Sequence, residues 1–397
     1  MSDSLQTVRT GTMLHEDLAA PGSTEGAHRN GHRLDHAEGS SKPMRSKTRE
    51  PQPRGAVIHG DRPVDQSEAA NRFIAATEHE KMHDERLWDM RQKRDREMHG
   101  IPEWEELRSL ASAIKEHTLV HLDTYLDQFE SNARAQGIHV HWARDAGEHN
   151  QVVLDILNGH GAKRLIKSKS MLTEECNFRD FMHEHGIEII ETDLGERIQQ
   201  LDNEAPSHVV VPAVHKLRSD VAQVFAEKLG SDADNDDPSY LAERQREATR
   251  PLILSADAGM TGCNFAVAET GTVVVCTNEG NADLSANTPP LHIVSCGIEK
   301  VIPRLDHLAV MVRLLSRSAL GSPMTQYTSH FRGPRRGGEM HIVLVDNGSV
   351  RAAGHGAVLV VTEVHPLRRV HEHLPGVPSE RRAQLWGDVC RADRRDP

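Results

Sequence analysis

Ala256–Asn281 reads ADAGMTGCNFAVAETGTVVVCTNEGN, two short β-branched runs interrupted by glycines and by small hydroxyl and amide residues. Glycine adopts backbone angles closed to other residues and lets a ligand come close to main-chain N–H groups, which makes Gly259, Gly262 and Gly271 candidate ligand-loop positions. Thr261, Asn264 and Thr270 add short polar groups, and Glu269 adds one carboxylate. The same glycines would also make the tight turns of a β-hairpin, and spacing alone leaves both readings open.

Upstream of this run, short β-rich stretches alternate with helical ones. IHVHWA, RLIKS, IEIIE and HVVVP read as strands, with helices over Glu148–Leu157, Thr173–His185 and Leu194–Leu201 and a further one running to Leu229. Such alternation predicts right-handed βαβ crossovers, an α/β fold and a mainly parallel sheet. Downstream, strands are expected over Asn264–Ala268, Thr272–Thr277, Leu291–Ser295 and His341–Val345, and a helix over Asp306–Ser318. Ser231–Ser239 is acidic but lacks the glycine and terminal glutamate of an EF-hand loop, so it reads as a solvated connection. Four segments result: a disordered extension over 1–65, a helical region over 66–131, the α/β domain over 132–348, and a tail over 349–397 without a burying period. In the helical region Phe73, Ile74, Leu87 and Met90 sit among dense mixed charge, as in a long solvated helix. Gly100 closes that helix, and the next carries Leu107, Leu110, Ile114, Leu122 and Leu126 on its apolar face.

The 397 residues leave room for a substantial core, while 37% hydrophobic content and a mean hydropathy of −0.56 point to unfolded terminal segments. A formal net charge of −12 argues against nonspecific nucleic-acid binding, which needs a basic surface. No run is apolar and long enough to cross a bilayer and no signal-peptide order opens the chain, so a cytoplasmic location is expected. Cys176, Cys263, Cys276, Cys296 and Cys390 are too widely spaced for a disulfide framework or a metal cluster. The 26 histidines are scattered, and His141, between Val140 and Trp142, reads as a satisfied core or edge histidine. Zinc spacing, a Ser-His-Asp order and a GxGxxG turn are all missing, so no metal-ligating residues and no catalytic residues are assigned.

Lys167, Lys169, Ser170 and Thr173 follow a strand and open a helix, an arrangement suited to a small anion. Thr173 would otherwise simply cap the helix, with the lysines solvated. Ligands of parallel α/β sheets bind beyond the carboxyl ends of the strands, which favours the anion reading. Thr192 and Asp193 also follow a strand and join the candidate set, as Pro212, His215 and Lys216 follow the next.

The order of these blocks resembles the LUD domain of the lactate utilisation protein B family, the iron-sulfur subunit of bacterial L-lactate oxidation. The resemblance runs through IPEWEELR (Ile101–Arg108), IKEHTLVHLDTYL (Ile114–Leu126), VHWARDAGEHN (Val140–Asn150), KSKSMLTEE (Lys167–Glu175), ETDLGERIQQL (Glu191–Leu201), PSHVVVPAVHK (Pro206–Lys216), the glycine-rich run, GIEKVIP (Gly297–Pro303) and GPRRGGEMHIVLVDNG (Gly333–Gly348). Arg197 and Gln199 replace a tyrosine and an aliphatic residue usual in the family, and Asp283–Pro290 also departs from it. The resemblance implies a fold related to isomerase and CoA-transferase domains, partner lactate-utilisation subunits, a quinone or carrier acceptor, and two [4Fe–4S] clusters in the intact family member. A stand-alone module binding a small acid or phosphorylated metabolite is the alternative, and an isomerase or transferase reading rests on fold analogy alone.

After VDNG the family continues with a four-cysteine run, where this chain has VHPLRRVHEHLP at Val364–Pro375. Permitted codons for those residues, read one base downstream, give CIRCGACMNTCP, the cysteine pattern of a [4Fe–4S] site. AQLWGDVCRADRRD at Ala383–Asp396 likewise hides HSYGETYVGPIGA, in the same frame and in family order. The expectation is a one-base change near Gly348–Ala353 that leaves an out-of-frame tail in which Cys390 is the one cysteine, too few to hold a cluster there. A natural disordered tail is the alternative.

Overall fold

The computed structural model describes residues 77–348, except 205 and 209, together with residues 71 and 75. Expectations for 1–65, for Phe73 and Ile74, and for the tail after 348 lie outside the described residues.

Three helices lead in: α1 (Thr77–His99), α2 (Trp104–Val120) and α3 (Leu122–Ala135). α1 buries no residue, as its dense charge predicts. Then follow β1 (His139–Ala143), α4 (Ala146–Gly159), β2 (Arg164–Lys167), α5 (Met171–Glu175), α6 (Phe178–Glu184), β3 (Glu188–Glu191), α7 (Leu194–Asp202), α8 (Arg218–Leu229) and α9 (Pro238–Leu254). The second half holds β4 (Ala258–Thr261), β5 (Phe265–Val267), β6 (Thr272–Thr277), α10 (Asn281–Asn287), β7 (Leu291–Gly297), β8 (Val301–Ile302), α11 (Leu305–Leu320), β9 (Tyr327–Phe331) and β10 (Glu339–Val345).

Six strands form a parallel sheet in the order β1-β10-β7-β4-β2-β3, the α/β architecture that the alternation predicts. Its central strands β7 and β10 are buried on both faces, which is why they read as apolar runs. One face packs Leu165, Ile189, Met260, Ile293 and Val343 against Val153, Leu157, Phe178 and Met182 of α4 and α6. On the other face Ile342, Leu344 and Val294 meet Phe129 and Ala133 of α3 and Ala266 and Val273 of a second sheet. That second sheet, in the order β8-β5-β6-β9, is mixed, and its β5–β6 pair is the antiparallel hairpin that the glycine-rich run allowed. No helix of the described residues is long and apolar enough to cross a membrane.

Three local expectations differ. HVVVP forms no strand among its described residues, because side chains claim its backbone: Lys169 Nζ donates to Val210 O, Gln199 Nε2 to Pro212 O, and the Val210 and Val211 amides donate to His208 Nδ1. The helix expected over Thr173–His185 breaks at Asn177, whose φ of 50° is left-handed. β4 lies inside the main sheet although AGMT has little strand propensity, since Gly259 lets α10 press on it: an added Cβ would stand 1.7 Å from Ser285 O.

Candidate functional site

β2, β3 and β4 end side by side, and the chain emerging from each end carries polar residues. Lys167, the last residue of β2, is buried, with its Nζ 3.1 Å from Glu174 Oε1 and 3.1 Å from Glu191 Oε1. Burial alone would lower its pKa, but the charges of Glu191, Glu174 and Glu196 outweigh it and hold the ammonium well above its usual range. Lys169 donates to Val210 O and lies 3.2 Å from Glu196 Oε1. Both candidate anion-binding lysines thus already have carboxylate partners.

Asp193 caps α7, accepting from the amides of Gly195 and Glu196, so its structural role is filled whatever else it does. Thr192 Oγ1 donates to Lys167 O and lies 3.4 Å from Ser285 Oγ on α10, tying β3, β2 and β4's covering helix together. Thr173 Oγ1 donates to Ser170 O, and Ser170 packs where a Cβ on Gly262 would stand 3.1 Å from its side chain. Thr261 is buried and contacts His292 Nε2 at 3.0 Å. The structure therefore gathers Lys167, Lys169, Ser170, Thr173, Thr192, Asp193, Gly259, Thr261 and Gly262 about three strand ends.

The remaining candidates sit at the hairpin instead. Asn264 Oδ1 accepts from the Cys276 amide, and Glu269 Oε2 accepts from Leu305 N at the start of α11. Gly271 has φ +65° and lies against α3, where a Cβ would meet Ala133 N at 2.3 Å. These three serve the turn and its packing.

Beside the strand ends opens a narrow cleft lined by Glu174, Arg179, Glu191, Glu196, Gln199 and Glu204, with room for about one water-sized group. Among the described residues, buried Glu191 Oε2 and Gln199 Oε1 of this lining have no hydrogen-bond partner. Buried polar atoms are nearly always paired, so two unpaired acceptors in one cleft mark a place where water or a ligand completes the structure. Glu191 and Glu196 were not singled out by sequence reasoning, although Glu191 closes the IEIIE strand beside Thr192. Of the two departures from the family pattern, Arg197 and Gln199, Gln199 lines the cleft and supplies an unpaired acceptor to it.

Burial, followed by the hydrogen bond and charge of Asp193, pushes the Glu196 carboxyl up to about 9. The neutral carboxyl donates to Asp193, whose own pKa stays lowered although burial opposes it, through that hydrogen bond and the charge of Lys169. A carboxyl raised in the folded state contributes stability that is complete below its unfolded value and is lost as pH climbs towards the folded one. Wild type is therefore expected to lose stability between about pH 5 and about pH 9, and Glu196→Gln, uncharged throughout, is expected to flatten that loss. Thermal melts across this window check it; parallel curves for the two proteins would assign the slope to other groups.

Residues 126–352 match the LUD domain family. A lactate utilization protein B from Shouchella clausii is 43% identical over 258 residues, covering 63% of this chain and 54% of that protein. Its counterpart from Geobacillus thermodenitrificans is 44% identical over 252 residues, covering 62% and 53% respectively. The chain thus spans about half the length of the curated relatives it matches. A crystal structure of a DUF162 family protein from Deinococcus radiodurans aligns over 56% of this chain and 98% of that one, with 14% identity and a TM-score of 0.30.

Proposed function

The chain belongs to the LUD domain family, and from that premise we propose that it is the LUD-bearing subunit of a system oxidising L-lactate to pyruvate. The observation that carries this reading is the 43% identity to lactate utilization protein B over most of the chain. The cleft beyond β2 and β3 is the proposed seat of a small hydroxy acid. A hydroxyl donor suits the unpaired acceptors Glu191 Oε2 and Gln199 Oε1, and a carboxylate suits the Lys169 ammonium beside the protonated Glu196. Entry of such a ligand requires cleft side chains to move apart, since the space present is water-sized.

The described cysteines do not fit an iron-sulfur cluster. Cys263 lies beside Cys296 and Cys276, but Cys176 sits near Glu175 and Asp145 instead, so these residues gather no set of four thiols, and burial pushes the Cys176 thiol up to about 12 and the Cys276 thiol to about 11, whereas cluster ligands are thiolates. The proposed location of the ligands is the cysteine run that the tail's codons permit one base downstream.

A binding or regulatory module for a small acid or phosphorylated metabolite is the second reading, favoured by a ligand cleft that stands without cysteines around it. Gene disruption and complementation separate the two. Loss of growth on L-lactate is expected, restored by a gene carrying the cysteine frame and not by one encoding this tail. Normal growth of the disrupted strain would contradict the lactate role. Rescue by the present tail would contradict the frame argument.

A further inference from the structure

β1 and β10 run parallel with His139 opposite His341, and the two-residue strand period places His141 and Glu339 on the same face as that pair. His160, just past α4, lies over them with Nε2 3.2 Å from Glu339 Oε2. One ligand atom each from His139, Glu339 and His341 lies within 4.8 Å of the others. Residues remote in sequence thus converge at the amino-terminal ends of two strands, on the opposite edge of the sheet from the acidic cleft.

We propose that His139, Glu339 and His341, with His160 as a fourth ligand, form a binding site for a divalent transition metal of the zinc class. Three features besides proximity point to a cation. His341 is 7% exposed, and its buried Nε2 has no hydrogen-bond partner among the described residues although it lies 3.6 Å from Glu339 Oε2. His160 Nδ1 is 2.8 Å from Ile156 O, so Nδ1 carries a proton, and Nε2 meets the Glu339 carboxylate through either a second proton or a cation shared by the two, which a bound metal would supply. His141 Nε2 stands 3.0 Å from His341 Nδ1, the outer hydrogen bond that fixes the ring of a ligating histidine.

The donor set is imidazole and carboxylate without thiolate, which suits zinc, nickel or copper(II) and not copper(I). Tetrahedral zinc needs ligand atoms about 3.3 Å apart. His139 and Glu339 are exposed, so closing from the present spacing to that one falls to rotation of their side chains. Bound metal would clip edge strand β1 to β10 and to the end of α4, a structural role separate from the cleft and independent of the proposed function.

The test uses the full chain, stripped with chelator and titrated with zinc chloride by competition calorimetry. Because the chain has 26 histidines, the readout is the difference between wild type and the variants His139→Asn and Glu339→Gln, both at exposed positions. Each variant should weaken the tightest zinc site by roughly tenfold or more and abolish the zinc-induced rise in melting temperature, while melting like wild type without metal. Unchanged zinc affinity in both variants, or no tight site in wild type, would overturn the proposal and leave ordinary histidine–carboxylate pairs. Should a variant melt lower without metal, the zinc-induced shift measured within that same variant still decides.

Discussion

Lys167→Met is expected to cost about 3–5 kcal/mol of stability, because it leaves Glu174 and Glu191 facing each other without the ammonium that lies between them. For a folded unit of this size that is a fall in melting temperature on the order of 10 °C. Lys167 is 1% exposed and Glu191 3%, so bulk water screens the loss little. Lys169→Met should behave differently. Its partner Glu196 is neutral over most of the working pH range, and Asp193, whose charge Lys169 also favours, keeps its α7 amide donors, so the change removes the hydrogen bond to Val210 O and part of that attraction and costs about 1–2 kcal/mol. Urea unfolding of both variants checks the contrast; equal effects would mean that Lys167 does not hold two charged carboxylates.

Gly259→Ala should be similarly severe for a steric reason. The added Cβ would stand 1.7 Å from Ser285 O and 2.7 Å from Ser285 C, both backbone atoms, so α10 must lift from β4. Overpacking against backbone that cannot yield is expected to cost about 3 kcal/mol or more. Gly159→Ala is the control, since its Cβ meets nothing within 4 Å at an ordinary backbone angle, and it should be neutral or slightly stabilising. A Gly259→Ala protein as stable as wild type would refute the close approach of α10.

The parallel sheet was legible because strands buried on both faces, such as HIVLV in β10, read as apolar runs between helical periods. β4 was not, since its sequence serves contact with α10 more than strand propensity. HVVVP misled in the opposite direction, its carbonyls being taken by Lys169 and Gln199. At the site, Lys167 to Thr173 and Thr192–Asp193 stood out because they follow strands. The glycines of the hairpin stood out for a different reason, the close packing of Gly271 under α3. The histidine cluster was hidden altogether: His141 and His341 are 200 residues apart and meet only because β1 pairs with β10.

The most direct test of the account is calorimetric titration of L-lactate into the full chain and into Lys169→Met, with acetate as the ligand lacking a hydroxyl. The account predicts one L-lactate site, weaker binding of acetate, and at least about tenfold weaker L-lactate binding in the variant, the worth of one charge-assisted hydrogen bond. No binding of L-lactate, or equal affinity in wild type and variant, would contradict it.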